Sequence, residues 1–240
     1  MRPGIAAVLL LAFTVPAVAI ERPAAVDAYL VRLKAVEQAT QPVSMEPLLA
    51  AASEVQDALM SLQPGGDQAW QETLPEADYA KLKDELRGLR LSRGYDVYAQ
   101  PDGDFLLKLA QAHGRPQDQA FFSLYQRFWN AQLLPQYLSI GKGTTPCVRF
   151  GEGIIPELYR DWSGFAKQYP QAYTAFAQQT LLDLEEVIEL GTCACRDADS
   201  VERELAGFVQ QFPQSPATPK ARKRLVELKE NPDWRPVHCR

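Results

Sequence analysis

Leu158-Tyr-Arg-Asp-Trp162-Ser-Gly-Phe165-Ala-Lys-Gln-Tyr169-Pro170-Gln171 is answered by Val201-Glu-Arg-Glu-Leu205-Ala-Gly-Phe208-Val-Gln-Gln-Phe212-Pro213-Gln214, and these two stretches decide the fold. Leu158, Trp162, Phe165 and Tyr169 recur as Val201, Leu205, Phe208 and Phe212 at one offset, 43 residues from 158 to 201. Each quartet has the i, i+4, i+7, i+11 spacing of one helix face. Each is followed by Pro-Gln, which stops a helix and turns the chain. After a one-residue shift in the turn, Ala177, Leu181 and Leu184 correspond to Ala221, Leu225 and Leu228. The pattern predicts two helical hairpins, and units of this size bury their apolar faces by stacking on one another. Trp162, Phe165, Leu205 and Phe208 are the predicted core of that stack.

Working back toward the N-terminus, the aromatic run Phe121, Phe122, Tyr125, Phe128 and Trp129 follows Arg115-Pro116 and predicts a further helix. Before it, Pro101-Asp102-Gly103-Asp104 is a turn whose acids can cap a helix carrying Phe105, Leu106, Leu109 and Ala112, closed by His113-Gly114. Asp78–Leu91 has helical spacing at Tyr79, Leu82, Leu86 and Leu89, ending at Gly94, and residues 95–98 predict a short strand. Two more helices are expected over Ala24–Gln38 and Leu48–Leu62, interrupted by Pro42 and Pro47, before Pro64-Gly65-Gly66 marks a boundary. The expected class is mainly α, with helical hairpins stacked in a repeat-like C-terminal half and a short strand near 95–98. The division is a signal peptide over 1–19, an N-terminal helical segment over 20–63, a helical region over 67–153 and two disulfide-stapled hairpins over 154–240. The alternative joins 67–240 as one domain.

The signal peptide is read from Met1-Arg2, the apolar run Ile5–Val15 and Ala17-Val18-Ala19. That run is short of the roughly 20 apolar residues a spanning helix needs, and it precedes an A-x-A cleavage site, with Ile20 as the expected new terminus. No cysteine follows the cleavage point for a lipid anchor, and no later segment is apolar for long enough to form a transmembrane span. Cleavage removes Arg2 from the 25 Lys+Arg and none of the 30 Asp+Glu, so the net charge moves from −5 to −6. This disfavours a nucleic-acid partner, which needs clustered positive charge over the domain. The chain has no N-x-[ST] sequon and is rich in Ala, Gln and Pro, which favours a bacterial periplasmic or secreted protein.

The stretch Phe208-Val-Gln-Gln-Phe212-Pro213-Gln-Ser215, continuing to Ala221 and Leu225, resembles the helix-turn-helix of tetratricopeptide-type repeats in bacterial envelope proteins, such as the lipoproteins of outer-membrane assembly. The resemblance covers about residues 156–230. Its offset departs from the usual period of about 34 residues, and the Trp, Gly and Tyr positions of the full consensus are not all present. It implies a protein-binding scaffold and carries over no catalytic residue. Residues 21–153 carry no comparable resemblance.

Cys147, Cys193, Cys195 and Cys239 are an even set in a chain read as exported, which favours disulfides over metal. A zinc site from Cys193-x-Cys195 and His238-Cys239 has atypical spacing. In an antiparallel hairpin the start of the first helix lies beside the end of the second. Cys147 should therefore lie near Cys193 or Cys195, and these near Cys239. A Cys193–Cys195 bridge would close a strained small ring, so two of the three connectivities remain.

Other chemistry is thin. His113 fits a helix-end role near the dipole; Gly141-Lys142-Gly143-Thr144-Thr145 lacks the phosphate-loop spacing; Asp102 and Asp104 lack the acid an EF-hand requires. Glu185, Glu186 and Glu189 read as a solvated face. No G-x-S-x-G or H-E-x-x-H is present, so no catalytic, metal or cofactor-binding residue is assigned. Lys220, Arg222, Lys223 and Arg224 form the one basic cluster, and Lys220, Arg222 and Lys223 are the candidate contacts to an acidic protein partner or an envelope surface. The expected function is an envelope scaffold, against which stand an inhibitor or immunity protein for a secreted toxin and an envelope hydrolase with a carboxylate-based site.

Overall fold

The structure is a computed structural model that describes residues 21–63, 66–94, 96–140, 145–190 and 193–230. The signal-peptide reading of 1–19, Tyr95, residues 141–144 of the phosphate-loop candidate, His238 and Cys239 lie outside these residues. The described chain is mainly α, with two short two-stranded sheets. Its helices pair as antiparallel neighbours along the chain: α1 (Ala24–Glu37) with α2 (Glu46–Met60), α4 (Gly103–His113) with α5 (Pro116–Phe128), α6 (Ile154–Gln168) with α7 (Thr174–Leu190), and α8 (Ala198–Gln211) with α9 (Thr218–Glu230). Pro47 begins α2 instead of interrupting it, because a first-turn residue has no intrahelical N–H bond to lose.

The two matched stretches form α6 and α8 as predicted. Helix α6 packs on α8 and α7 on α9, so equivalent helices of the two hairpins stack. Trp162, Phe165, Leu205 and Phe208 are all buried. Tyr159 of α6 carries the seam between hairpins, its ring meeting Phe208 and Phe212 edge-on at 5.0 and 4.9 Å. The preceding hairpin joins the same core through α5, where Phe121 stacks on Tyr173 at 3.7 Å and meets Trp162 edge-on at 5.7 Å. One apolar cluster runs from Val26 to Leu228.

The helix expectation fails beyond residue 85. The helix predicted over Asp78–Leu91 ends early, as α3 (Glu76–Glu85), and Leu89 lies in a strand, β1 (Leu89–Arg93). Leu89-Arg-Leu91-Ser satisfies alternation as well as helical spacing, and Gly88 decides between them. Its φ of 89° is a left-handed conformation, and an added Cβ would stand 2.5 Å from the Tyr29 hydroxyl and 2.8 Å from Phe105. The short strand expected near 95–98 is present as β2 (Val97–Pro101), antiparallel to β1 with Leu91 opposite Ala99. Both of those side chains are buried, and β2 packs on α2. The turn after β2 behaves as predicted: Asp102 accepts the Asp104 and Phe105 N–H groups and caps α4. The second hairpin joins β3 (Leu138–Ile140) to β4 (Pro146–Val148).

A disulfide joins Cys147 to Cys195, with Cα atoms 5.0 Å apart. The backbone brings them together: Val148 donates to the Cys193 carbonyl and Cys195 donates to the Val148 carbonyl, a parallel bridge around Ala194. This is one of the two connectivities left open by the sequence. Its complement, Cys193 with Cys239, rests on a residue outside the described range, although Cys193 is not a free thiol. Replacing both Cys147 and Cys195 by serine is expected to cost about 2 to 4 kcal/mol, the typical range for a native bridge. Urea unfolding of oxidised wild type against the double variant measures this, and equal midpoints would show that the backbone bridge alone holds the segment.

Candidate functional site

The polar centre of the molecule is Asp118, fully buried at the start of α5. Locally it caps its own helix, with Oδ2 accepting the Arg115 N–H at 2.9 Å. The other oxygen reaches two different hairpins. Oδ1 accepts the Met45 N–H at 3.0 Å, from the residue that opens α2, and the Tyr173 hydroxyl at 2.5 Å, from the turn into α7. Tyr173 is held from a second side, since its N–H donates to Glu46 Oε1 at 3.0 Å. Its φ of 51° is unusual for a bulky residue. The cost of that conformation is offset by the two hydrogen bonds and by the stack on Phe121.

A cavity of about 410 Å³ opens on this node, lined by Glu46, Arg115, Gln117, Gln168, Gln171 and Tyr173 among others. Burial, reinforced by the adjacent Asp118 carboxylate, drives the Tyr173 hydroxyl far above its ordinary range, so it stays protonated at any physiological pH. Asp118 already accepts three donors. The node therefore holds three chain segments together. The cavity mouth, by contrast, is exposed and rich in amides.

A second cavity, of about 310 Å³, lies between the β1–β2 hairpin and the start of α4 and end of α5. Arg90 bridges Asp102 at 3.1 Å and Asp104 at 3.0 Å, and Gln126 donates to Asp104 Oδ1 at 2.7 Å. Burial would raise the Asp102 carboxyl, but Arg90 and the helix N–H groups outweigh it and hold the carboxyl below its usual value.

The sequence-selected residues fall in two places. Cys147 and Cys195 meet at the open end of the α6–α7 hairpin, with Cys193 beside them. Lys220, Arg222 and Lys223 lie on the exposed surface of α9, the outermost helix of the stack. Lys220 pairs with Glu189 of α7 at 2.5 Å and Lys223 with Glu227 at 3.6 Å, whereas Arg222 makes no ion pair among the described residues. Arg224 turns inward, donating to the Val187 and Ile188 carbonyls at the end of α7 and lying 5.3 Å over the Phe150 ring. Burial lowers its guanidinium to about 10, with Glu227 opposing.

Two local readings change with the geometry. Glu185 and Glu189 are not simply solvated: Glu185 accepts the Tyr159 hydroxyl at 2.7 Å, and Glu189 holds Lys220. His113 ends α4, but its ring reaches across to the Ala39 carbonyl at 3.2 Å. Among the described residues no cluster of three or more His, Cys, Asp or Glu side chains is arranged to hold a metal, and no helix is long and apolar enough to cross a membrane.

Glu204 is a buried carboxylate that no sequence pattern flagged. From α8 its Oε2 accepts the Gly151 and Gly153 N–H groups at 3.0 and 3.1 Å, at the start of α6, while Oε1 has no partner among the described residues. Gly151 has φ 81°, and a Cβ there would lie 2.8 Å from Ser200. Burial raises the Glu204 carboxyl above its usual 4.5, against the pull of the glycine N–H groups. A raised folded-state value means the native state binds the proton more tightly, so this contribution is complete at acid pH and is lost as pH rises through the shifted value. Wild-type stability is therefore expected to fall relative to a Glu204→Gln variant as pH climbs from about 4.5 toward neutrality. Parallel urea titrations across that window check this, and a constant difference between the two would refute it.

No family model, curated protein or solved structure matches this chain.

Proposed function

We propose that this protein is an exported, protein-binding module of the bacterial cell envelope, of scaffold type, with its mature chain beginning at Ile20. The observation that carries the reading is the register of the stack: hairpins α6–α7 and α8–α9 place equivalent helices against each other. Such an arrangement presents a continuous side-chain surface built from exposed helix faces, the form in which repeat proteins bind partners. The leader, the Cys147–Cys195 bridge and the resemblance of 156–230 to tetratricopeptide-type repeats support the same address and role.

The contact surface in this reading includes α9, where Lys220, Arg222 and Lys223 offer positive charge to an acidic protein. Arg222 and Lys223 are the informative pair to reverse, because Lys220 also ties α9 to α7 through Glu189. Capture from periplasmic extract should recover a protein with wild type that an Arg222→Glu/Lys223→Glu variant loses while keeping its melting temperature. Raising the salt should weaken the wild-type interaction, since exposed charges act mainly through steering and association rate. Equal recovery by both forms, or none above a bare-matrix control, would overturn the proposal.

A further inference from the structure

The cleft between the β1–β2 hairpin and the junction of α4 with α5 has a division of chemistry that the protein-binding reading does not use. One part of its lining is apolar: Trp129, Pro101 and Leu133. The other is polar and planar: Arg90, Asp104 and Gln126. We propose that this cleft is a binding subsite for a neutral saccharide, holding a single pyranose ring or the end of a longer glycan.

Charge argues against an anionic ligand. Arg90 is already bridged to Asp102 and Asp104, and Gln126 donates to Asp104. One guanidinium faces two carboxylates, of which Asp102 is also met by the Asp104 and Phe105 N–H groups, so the polar edge has no free cation with which to draw an anion and retains donors and acceptors in plenty. A guanidinium has five N–H donors, a carboxylate about four acceptor positions and an amide both kinds. Sugar hydroxyls donate and accept at once, so they can use such an edge without breaking its ion pairs. The C–H faces of a pyranose are the complement of the apolar lining, and an indole ring attracts the slightly positive edges of such groups.

Rigidity argues for a built site. Asn130 accepts the Gln132 and Leu134 N–H groups and donates to the Leu138 carbonyl, fixing the loop that carries Leu133. Leu133 is held at φ 60°, and a left-handed leucine persists only where its surroundings over-determine it. Opposite, Gly103 lies so close to Gln126 that an added Cβ would stand 3.0 Å from the Gln126 Cα. The walls are thus set before any ligand arrives, which reduces the ordering cost of binding. The volume, about 310 Å³, sits at the small end of ligand cavities.

The test is saturation-transfer NMR and fluorescence titration of the oxidised chain from residue 20, using glucose, N-acetylglucosamine and cellobiose as neutral probes. Glucuronate and trialanine serve as charged and peptide comparisons. Saturable, millimolar-range binding of at least one neutral sugar is expected, weakened tenfold or more in Trp129→Ala and severalfold in Gln126→Ala. Because Gln126 is exposed on α5, its variant should keep the wild-type melting temperature and so keeps the test valid if Trp129→Ala unfolds. No saturable neutral-sugar binding, binding indifferent to Gln126→Ala, or preference for glucuronate or trialanine would overturn the proposal. Loss of partner capture by the α9 variant has no bearing on these titrations, so the two proposals fail separately.

Discussion

Trp162→Ala is expected to lower the unfolding free energy by about 3 to 5 kcal/mol, the range for emptying a fully packed aromatic position. The indole is completely buried where three helices meet. From α6 it contacts Phe121 and Phe128 of α5 at 5.7 and 6.2 Å between ring centres, and Phe176 of α7 at 5.5 Å. Those neighbours are themselves large rings locked against one another, so they cannot collapse into the space, and the cavity adds to the lost transfer energy. Trp162→Phe separates volume from polarity. The indole N–H has no hydrogen-bond partner among the described residues, so phenylalanine forfeits volume without forfeiting a bond. Its cost should stay below about 2 kcal/mol. Urea unfolding should show a lower midpoint with an unchanged slope for both variants, and the alanine form should melt on the order of 10 °C below wild type. If alanine costs no more than phenylalanine, Trp162 is not the keystone between the α4–α5 and α6–α7 hairpins.

That keystone was legible in the sequence because helix faces are periodic and the unit repeats. Trp162 and Leu205 each sit four residues after the first position of a matched quartet, and both are buried as their spacing requires. Asp102 and the Arg115-Pro116 start of α5 were also legible, since capping is local chemistry written within three or four residues. Leu89 was not, because Leu82, Leu86 and Leu89 fit a helix while Leu89-Arg-Leu91 fits a strand. The arbiter is Gly88, whose crowding against Tyr29 and Phe105 comes from elements distant in the chain. The same limit hid the polar centre. Asp118 looks like an ordinary first-turn acid, and nothing near it in sequence announces Met45 or Tyr173, 73 and 55 residues away. Glu204 is likewise one acid among several on α8 until the fold brings two glycine N–H groups to it. Cysteine pairing stood between these cases: hairpin geometry reduced three connectivities to two, and the Val148–Ala194 bridge selected Cys195 for Cys147.

Asp118→Ala should destabilise the protein by about 3 kcal/mol or more, and its effect should not add to that of Tyr173→Phe. Removing the carboxylate strands the Met45 N–H, the Arg115 N–H and the Tyr173 hydroxyl, and a buried donor left unpaired costs roughly 1 to 3 kcal/mol. Water entering from the adjacent 410 Å³ cavity can satisfy part of this loss, which keeps the total below the full sum. Tyr173→Phe removes one of the donors and leaves Asp118 with two N–H partners, so it should cost only about 1 to 2 kcal/mol. In the double variant the hydroxyl is already gone, and with it one of the orphans that Asp118→Ala creates. The double loss should therefore fall short of the summed single losses by about 1 kcal/mol, the coupling expected of groups in direct contact. Strict additivity would mean that the hydroxyl and the carboxylate do not act on each other. Amide exchange supplies an independent readout of the same junction. In Asp118→Ala, protection should drop at Met45 and Arg115 while Phe208 keeps its own, because the carboxylate ties together the turns that begin α2, α5 and α7 and makes no hydrogen bond to α8 or α9.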